Sequence, residues 1–258
     1  MSIVTLLEKV YGTLPPDSFE PFFSSLCEGL KVRLRIVGKT NRGWVQVDVS
    51  GEDEDVAMRF LDQKIGLAPV SLSNLEKFSL LKGRIVASEV KKDNLRVDVG
   101  VFSPQPIDAT IPLQTLQVQI ADGKSFSIKQ LIDLFCFYVN LPLEVKVVSD
   151  VSSESESIEA VLSEAQLSQI TRWIDSFLDR LLVLGAPFSD VEIAIRKSGH
   201  VRDVIKIESL GLLEHAVLCK LGTEAKGLMP KFGPRLPHAV LAPFSPRKIK
   251  QFIKRPFL

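Results

Sequence analysis

Histidine, cysteine and tryptophan are scarce in this 258-residue chain, with three, three and two copies respectively. His200 and His215 have no acid or cysteine at ligand spacing beside them and His238 sits in a proline-rich stretch, so a metal site would need ligands from three distant segments. Cys27, Cys136 and Cys219 lie far apart in apolar settings, a pattern of reduced core thiols and not of a disulfide framework. G-x-G-x-x-G, the Walker loop, H-E-x-x-H and the G-x-S-x-G elbow are all missing. The acids from Glu52 to Asp55 are placed to open a helix, where the macrodipole favours them, and not to work as an acid and base pair. We therefore expect a non-enzymatic protein without cofactor or metal.

Long apolar runs are also missing. Leu181-Leu182-Val183-Leu184 is far shorter than the roughly 18 residues of a membrane span. The stretch Met1 to Lys9 has no basic region before its apolar residues and carries Glu8 where a signal core would continue, so the expectation is a cytoplasmic protein with no membrane partner. Nor is one sign of charge in excess: 32 Lys and Arg face 31 Asp and Glu, and any nucleic-acid binding must come from local patches. Hydrophobic residues at 45% and charged residues at 24% are those of a chain that folds.

Residues 1–75 read as strand, helix, strand, strand, helix. Phe19, Phe22, Phe23 and Leu26 recur at helical spacing. Val32, Leu34 and Ile36 alternate with Lys31, Arg33 and Arg35, and after a turn at 38–43 Val45, Val47 and Val49 continue the apolar face. The order predicts a ferredoxin-like α/β sandwich with helices on one sheet face. The other face would carry Lys31, Arg33, Arg35, Trp44, Gln46 and Asp48. That set is either an ordinary solvated surface or a platform on which Trp44 stacks a base while cations hold phosphates.

Residues 76–149 are strand-rich. Strands are expected from Leu81 to Val90, from Asn94 to Gly100, from Ile107 to Leu113 and from Leu143 to Val148, with Lys91-Lys92-Asp93 as a turn and a helix from Ser127 to Phe137, the pattern of a five-stranded OB barrel. The strings Gly83-Arg84-Ile85-Val86, Leu95-Arg96-Val97-Asp98-Val99-Gly100 and Asp108-Ala109-Thr110-Ile111-Pro112-Leu113 resemble the S1 class of OB folds, with Thr110 standing where that class usually has Gly. The resemblance implies single-stranded RNA contact through the second and third barrel strands. Its candidates here are Arg84, Lys91, Lys92 and Arg96, with Phe102 as either a stacking ring or a plug of the barrel end.

Residues 150–162 form an acidic, serine-rich linker, and 163–258 a helix plus a β domain with a basic tail. Ser163-Glu164-Ala165-Gln166 opens a helix whose stripe of Leu167, Ile170, Ile174, Phe177, Leu178 and Leu181 runs to Gly185. Strands are expected at 191–195, 204–208 and 216–222, and Lys226-Gly227-Leu228-Met229-Pro230 repeats the earlier strand and proline pattern, which suggests a second small β-barrel. After Glu224 there is no acid, yet Lys226, Lys231, Arg235, Arg247, Lys248, Lys250, Lys254 and Arg255 follow, with phenylalanines interleaved. Eight cations without a counter-charge attract phosphates, or else form a tail that serves solubility.

Across most of its length, including Leu210-Gly211-Leu212-Leu213-Glu214-His215 and Lys231-Phe232-Gly233-Pro234-Arg235-Leu236-Pro237, the chain is similar to an archaeal family of unknown function, family 2110. The similarity implies an archaeal origin and an S1-like central domain and lends no catalytic residue. The fold class expected is thus α+β. The function expected is non-catalytic binding of single-stranded or structured RNA, within a ribosomal or RNA-processing complex. The alternatives are a scaffold subunit that docks through the 163–184 helix and an RNA-directed enzyme whose site no motif reveals.

Overall fold

The computed structural model describes residues 2–12, 14–87, 93–150 and 157–253. The alternation read in the N-terminal third becomes a three-stranded antiparallel sheet. β3 (Trp44–Gly51) lies between β1 (Ser2–Lys9) and β2 (Val32–Lys39), while α1 (Glu20–Leu26) and α2 (Glu54–Lys64) supply the helices. Leu34, Ile36, Val45, Val47 and Val49 meet Phe19, Phe23, Ala57 and Leu61 in its core, as expected of strands with one apolar face. The short strand after α2, β4 (Val70–Ser71), leaves this sheet and pairs in parallel with the central domain.

Five strands close the central barrel. β5 (Leu80–Ile85), β6 (Asn94–Ser103), β7 (Ile107–Pro112), β9 (Ile158–Leu162) and β8 (Pro142–Val147) pair in that circular order, with every neighbour antiparallel except β7 and β9. This closed barrel is compatible with the expected OB fold. Gly83 is required by packing: a Cβ there would stand 2.5 Å from the Asp98 carbonyl oxygen and 2.6 Å from Val97 Cγ1. α3 (Leu113–Ile120) and α4 (Ile128–Phe135) cross between β7 and β8, and Ser127 caps α4 with a full capping box.

The fifth strand corrects the linker reading. Ile158, Ala160 and Leu162 point into the barrel core with Glu159 exposed between them, so the end of the 150–162 stretch is a strand; the acids and serines before it hid a short alternation. The first part of the linker, 151–156, lies outside the described residues.

The C-terminal third departs further from expectation. The helix opened by Ser163 is α5 (Glu164–Asp175), and it stops there; Phe177 takes a left-handed conformation (φ 55°), and Leu181 belongs to β10 (Arg180–Leu184). The apolar run of β10 continued the helical stripe by coincidence of period. Its residues are buried on both faces because β10 lies between β12 and β13 in the middle of a sheet. Residues 191–195 lie in α6 (Phe188–Ser198), where Val191, Ala194 and Ile195 form one buried face and Gly199 ends the helix at φ 78°. Residues 226–230 lie in α7 (Ala225–Phe232), with Ala225, Leu228 and Phe232 inward.

The second barrel is therefore replaced by a four-stranded antiparallel sheet, in the order β11 (Val204–Ser209), β12 (Glu214–Cys219), β10 and β13 (Val240–Phe244). One face of this sheet packs on α6 and α7. Leu182, Leu184, Ala216, Ala242 and Phe244 on the other share a core with the barrel, α5 and α8 (Pro246–Ile253). Ile170 and Ile174 of α5 are buried in that core, so the stripe proposed as a partner contact is occupied by the chain itself. No described helix is long and apolar enough to cross a membrane.

Candidate nucleic-acid interface

In an antiparallel barrel, directly opposed residues share a face, so Arg84 opposite Asp98, and Asp98 opposite Asp108, stand together on the outside of β5, β6 and β7. This is the face expected to hold RNA, and the other two domains cover much of it. Asp98 is fully buried; one of its oxygens accepts from Lys9 Nζ at 2.6 Å and from Trp44 Nε1 at 3.0 Å, and the other from the Gly100 amide at 3.1 Å. Asp108 pairs with Arg42 and, at 2.5 Å, with Arg96. Arg84, 3% exposed, pairs with Glu8 of β1 and lies 3.4 Å from Glu214 of β12, whose other oxygen accepts from the Tyr11 hydroxyl at 2.6 Å.

Three expectations are corrected here. Arg84 is a buried cation joining three domains and is not a phosphate ligand. Trp44 is fully buried under the barrel, with Lys9 Nζ 4.4 Å from its ring centre, so it offers no face to a base. Arg96 remains partly exposed but is committed to Asp108. Burial acts on the charges beside this junction: it pushes the Glu214 carboxyl up to about 7, against the pull of Arg84 and with the push of Glu8. It lowers His215, whose Nε2 lies 3.0 Å from the Ala186 carbonyl oxygen.

The remaining sequence candidates scatter. Lys31 pairs at 2.7 Å with Glu52 at the surface, while Arg33 and Arg35 are exposed on β2. Phe102 is half-buried. Lys231 is exposed, and Arg235 spends its guanidinium on the carbonyls of Lys231 and Lys197, both at 2.9 Å. Lys250, which the tail reading placed among the phosphate ligands, is 5% exposed; its Nζ sits 3.8 Å above the Phe177 ring and 3.2 Å from Asp175. It pins α8 to the end of α5 instead. Lys91, Lys92, Lys254 and Arg255 lie outside the described residues.

What the fold does gather is a cleft of about 180 Å³ at one end of the C-terminal sheet. Lys220 follows β12, Lys226 lies in the first turn of α7, and Arg247 and Lys248 lie in the first turn of α8. Phe177, Thr223 and Ser245 complete its wall together with Asp179 and Glu224. One Asp179 oxygen is used within the fold, accepting from the Ala225 amide at 3.1 Å and so holding the start of α7. Among the described residues none of the four cations has an ion pair or hydrogen bond through its side chain. Lys226, Arg247 and Lys248 were legible as part of the acid-free stretch. Lys220 was not, because it precedes Glu224 in sequence and joins the cluster only when β12 and β13 end on the same side of the sheet.

The described residues contain no group of three or more His, Cys, Asp or Glu able to hold a metal ion. The three cysteines are buried and unpaired, and burial raises Cys136 to about 12 and Cys219 to about 11, which leaves them as protonated core thiols.

Three family models match consecutive parts of the chain: the DUF2110 N-terminal domain over residues 3–69, the DUF2110 central domain over 76–174 and the DUF2110 C-terminal domain over 178–242. No curated protein matches the chain.

Proposed function

The chain belongs to the DUF2110 family, and from its own geometry we propose that it is a non-catalytic RNA-binding protein of the translation or RNA-processing machinery. In this reading the closed barrel is an S1-like OB fold, the N-terminal sheet a ferredoxin-like unit, and the protein works in the cytoplasm. One observation carries the proposal: Lys220, Lys226, Arg247 and Lys248 line a single cleft, and among the described residues none of them has an ion pair or a side-chain hydrogen bond. Unpaired cations gathered in a concavity raise the local concentration of phosphate, and RNA association then releases counterions. The net charge of +1 for the whole chain is no obstacle, because many of its acids are paired outside the cleft, with Lys9, Arg42, Arg84 and Arg96 among others.

In this reading the contact surface is not the one the resemblance implies. The outer face of β5 to β7, which the S1 resemblance nominates, is largely taken up by the N- and C-terminal domains, so the C-terminal cleft leads and exposed Arg33 and Arg35 offer a secondary surface. The test is a fluorescence-anisotropy titration of a labelled single-stranded RNA with the parent chain and with Lys226→Ala, Arg247→Ala and Lys248→Ala combined. We expect the parent to bind at low salt and the triple variant to lose most of that affinity. Absence of binding at low ionic strength would end the RNA reading.

A further inference from the structure

A groove that tracks the backbone of a single strand spaces its cations along a path, since each internal phosphodiester carries one charge. The C-terminal cleft does something else: it brings Lys220, Lys226, Arg247 and Lys248 around about 180 Å³. Set against the two lining carboxylates, Asp179 and Glu224, four cations leave a net of +2. That is the complement of a group bearing two negative charges on one phosphorus. The beginning of α8 adds to this: Pro246 has no amide hydrogen and the Ile249 amide donates to the Ser245 carbonyl oxygen at 3.2 Å, which leaves the Arg247 and Lys248 amides without an intrahelical acceptor where the helix dipole favours an anion. Arg247 can meet two phosphoryl oxygens at once, and the lysines act as point charges around the third.

Resting on the RNA-binding reading, we propose that this cleft is a pocket for a terminal phosphate monoester. The monoester is either the phosphorylated end of an RNA strand or the phosphate of a free nucleotide. A monoester supplies three free oxygens and close to two charges at neutral pH, where an internal diester supplies two free oxygens and one charge. Its second proton leaves near pH 6. No histidine lines the cleft, and the titratable groups facing it are the Asp179 and Glu224 carboxylates and the four cations. A change in binding around pH 6 therefore belongs to the ligand.

The experiment compares one labelled RNA sequence with a 5′-phosphate, with a 3′-phosphate and with hydroxyls at both ends. Titrations use the full chain at pH 7.5 and pH 5, with adenosine monophosphate and inorganic phosphate as separate competitors. We expect one phosphorylated end to bind about tenfold more tightly than the hydroxyl-ended strand at pH 7.5. The preference should shrink at pH 5 and vanish in the Arg247→Ala, Lys248→Ala variant. Equal binding of all three strands would overturn the monoester pocket while leaving the RNA reading intact. So would a preference that survives at pH 5 undiminished. Binding of adenosine monophosphate without binding of any RNA would support the pocket with a free nucleotide as its source and defeat the RNA reading. Failure of every probe defeats both.

Discussion

Arg84 is the residue on which the three domains agree. It projects from β5 with 3% exposure, and its partners come from the other two domains, Glu8 from β1 and Glu214 from β12. Gly211 packs directly beside it: a Cβ there would lie 2.2 Å from a Glu214 oxygen and 2.6 Å from an Arg84 nitrogen, so a larger residue would have to push these side-chain ends apart. Removing one partner of a buried charge cluster leaves the others uncompensated, so Arg84→Ala is expected to cost about 3–5 kcal/mol of stability. Urea unfolding of parent and variant measures it, and a loss below about 1 kcal/mol would show that the cluster is wetter than its burial implies.

Glu214 and His215 next to it work in opposite senses. Glu214 titrates near 7 in the folded chain, above its ordinary 4.5, so the folded state holds a proton that the unfolded state has lost; its contribution is full at low pH and fades as pH rises toward 7. His215 is held below its ordinary 6.5, so its contribution is full above that value and is lost as pH falls. Glu214→Gln removes only the first. The urea midpoint of this variant should therefore gain on the parent between pH 5 and pH 7.5, and a constant offset across that range would refute the assignment.

At the scale of elements, legibility followed length and symmetry of burial. The strand β2 and the helices α1 and α2 could be read because each has one wet and one dry face, and β3 because its valines alternate with polar residues in sequence although both of its faces are covered in the fold. β10 could not: buried on both sides, its five residues carry no period of their own and borrowed that of α5. The stretch that became α6 has Val191, Ile193 and Ile195 alternating, which reads as a strand until Pro187 and Gly199 are weighed as its ends.

α8 shows a second limit. Its cations were read as one basic group, yet the helix sorts them by face, Arg247 and Lys248 outward at the cleft and Lys250 inward over Phe177. This sorting predicts a division of effects. Lys250→Ala should lower stability by about 1–2 kcal/mol through the lost ring contact and packing. Arg247→Ala and Lys248→Ala, both on the surface, should each stay within about 0.5 kcal/mol of the parent. Thermal melts of the three variants decide it, and equal losses at all three positions would contradict the inward placement of Lys250.

For the whole molecule, the placement of polar residues on the barrel exterior has a consequence that no single domain reveals. Arg84 and Arg96 read as an open, basic contact surface in sequence, because nothing local distinguishes a polar side chain facing water from one facing a polar partner far along the chain. In the fold, Lys9 and Trp44 reach Asp98, and Arg42 reaches Asp108, so the N-terminal sheet is fastened to the barrel through buried polar contacts. The C-terminal sheet is fastened differently, through an apolar core that runs from Val145 and Leu162 of the barrel to Leu182 and Phe244. An interface of shared core cannot open without exposing that apolar surface, whereas a polar one opens at the cost of a few desolvated pairs. The barrel and the C-terminal domain should therefore unfold as one cooperative unit, with the N-terminal domain joined to them through the partners of Asp98 and through Leu212 and Leu213, which sit in its own core. Asp98→Ala, which strands Lys9 and the Trp44 indole without an acceptor, is expected to separate the N-terminal domain's transition from the rest. Hydrogen exchange across a urea series would follow the amides of β3 and of β10 separately. Coincident transitions in the parent and split transitions in the variant are the expected result; a parent that already splits between β10 and the barrel strand β8 would overturn the shared core as the source of cooperativity.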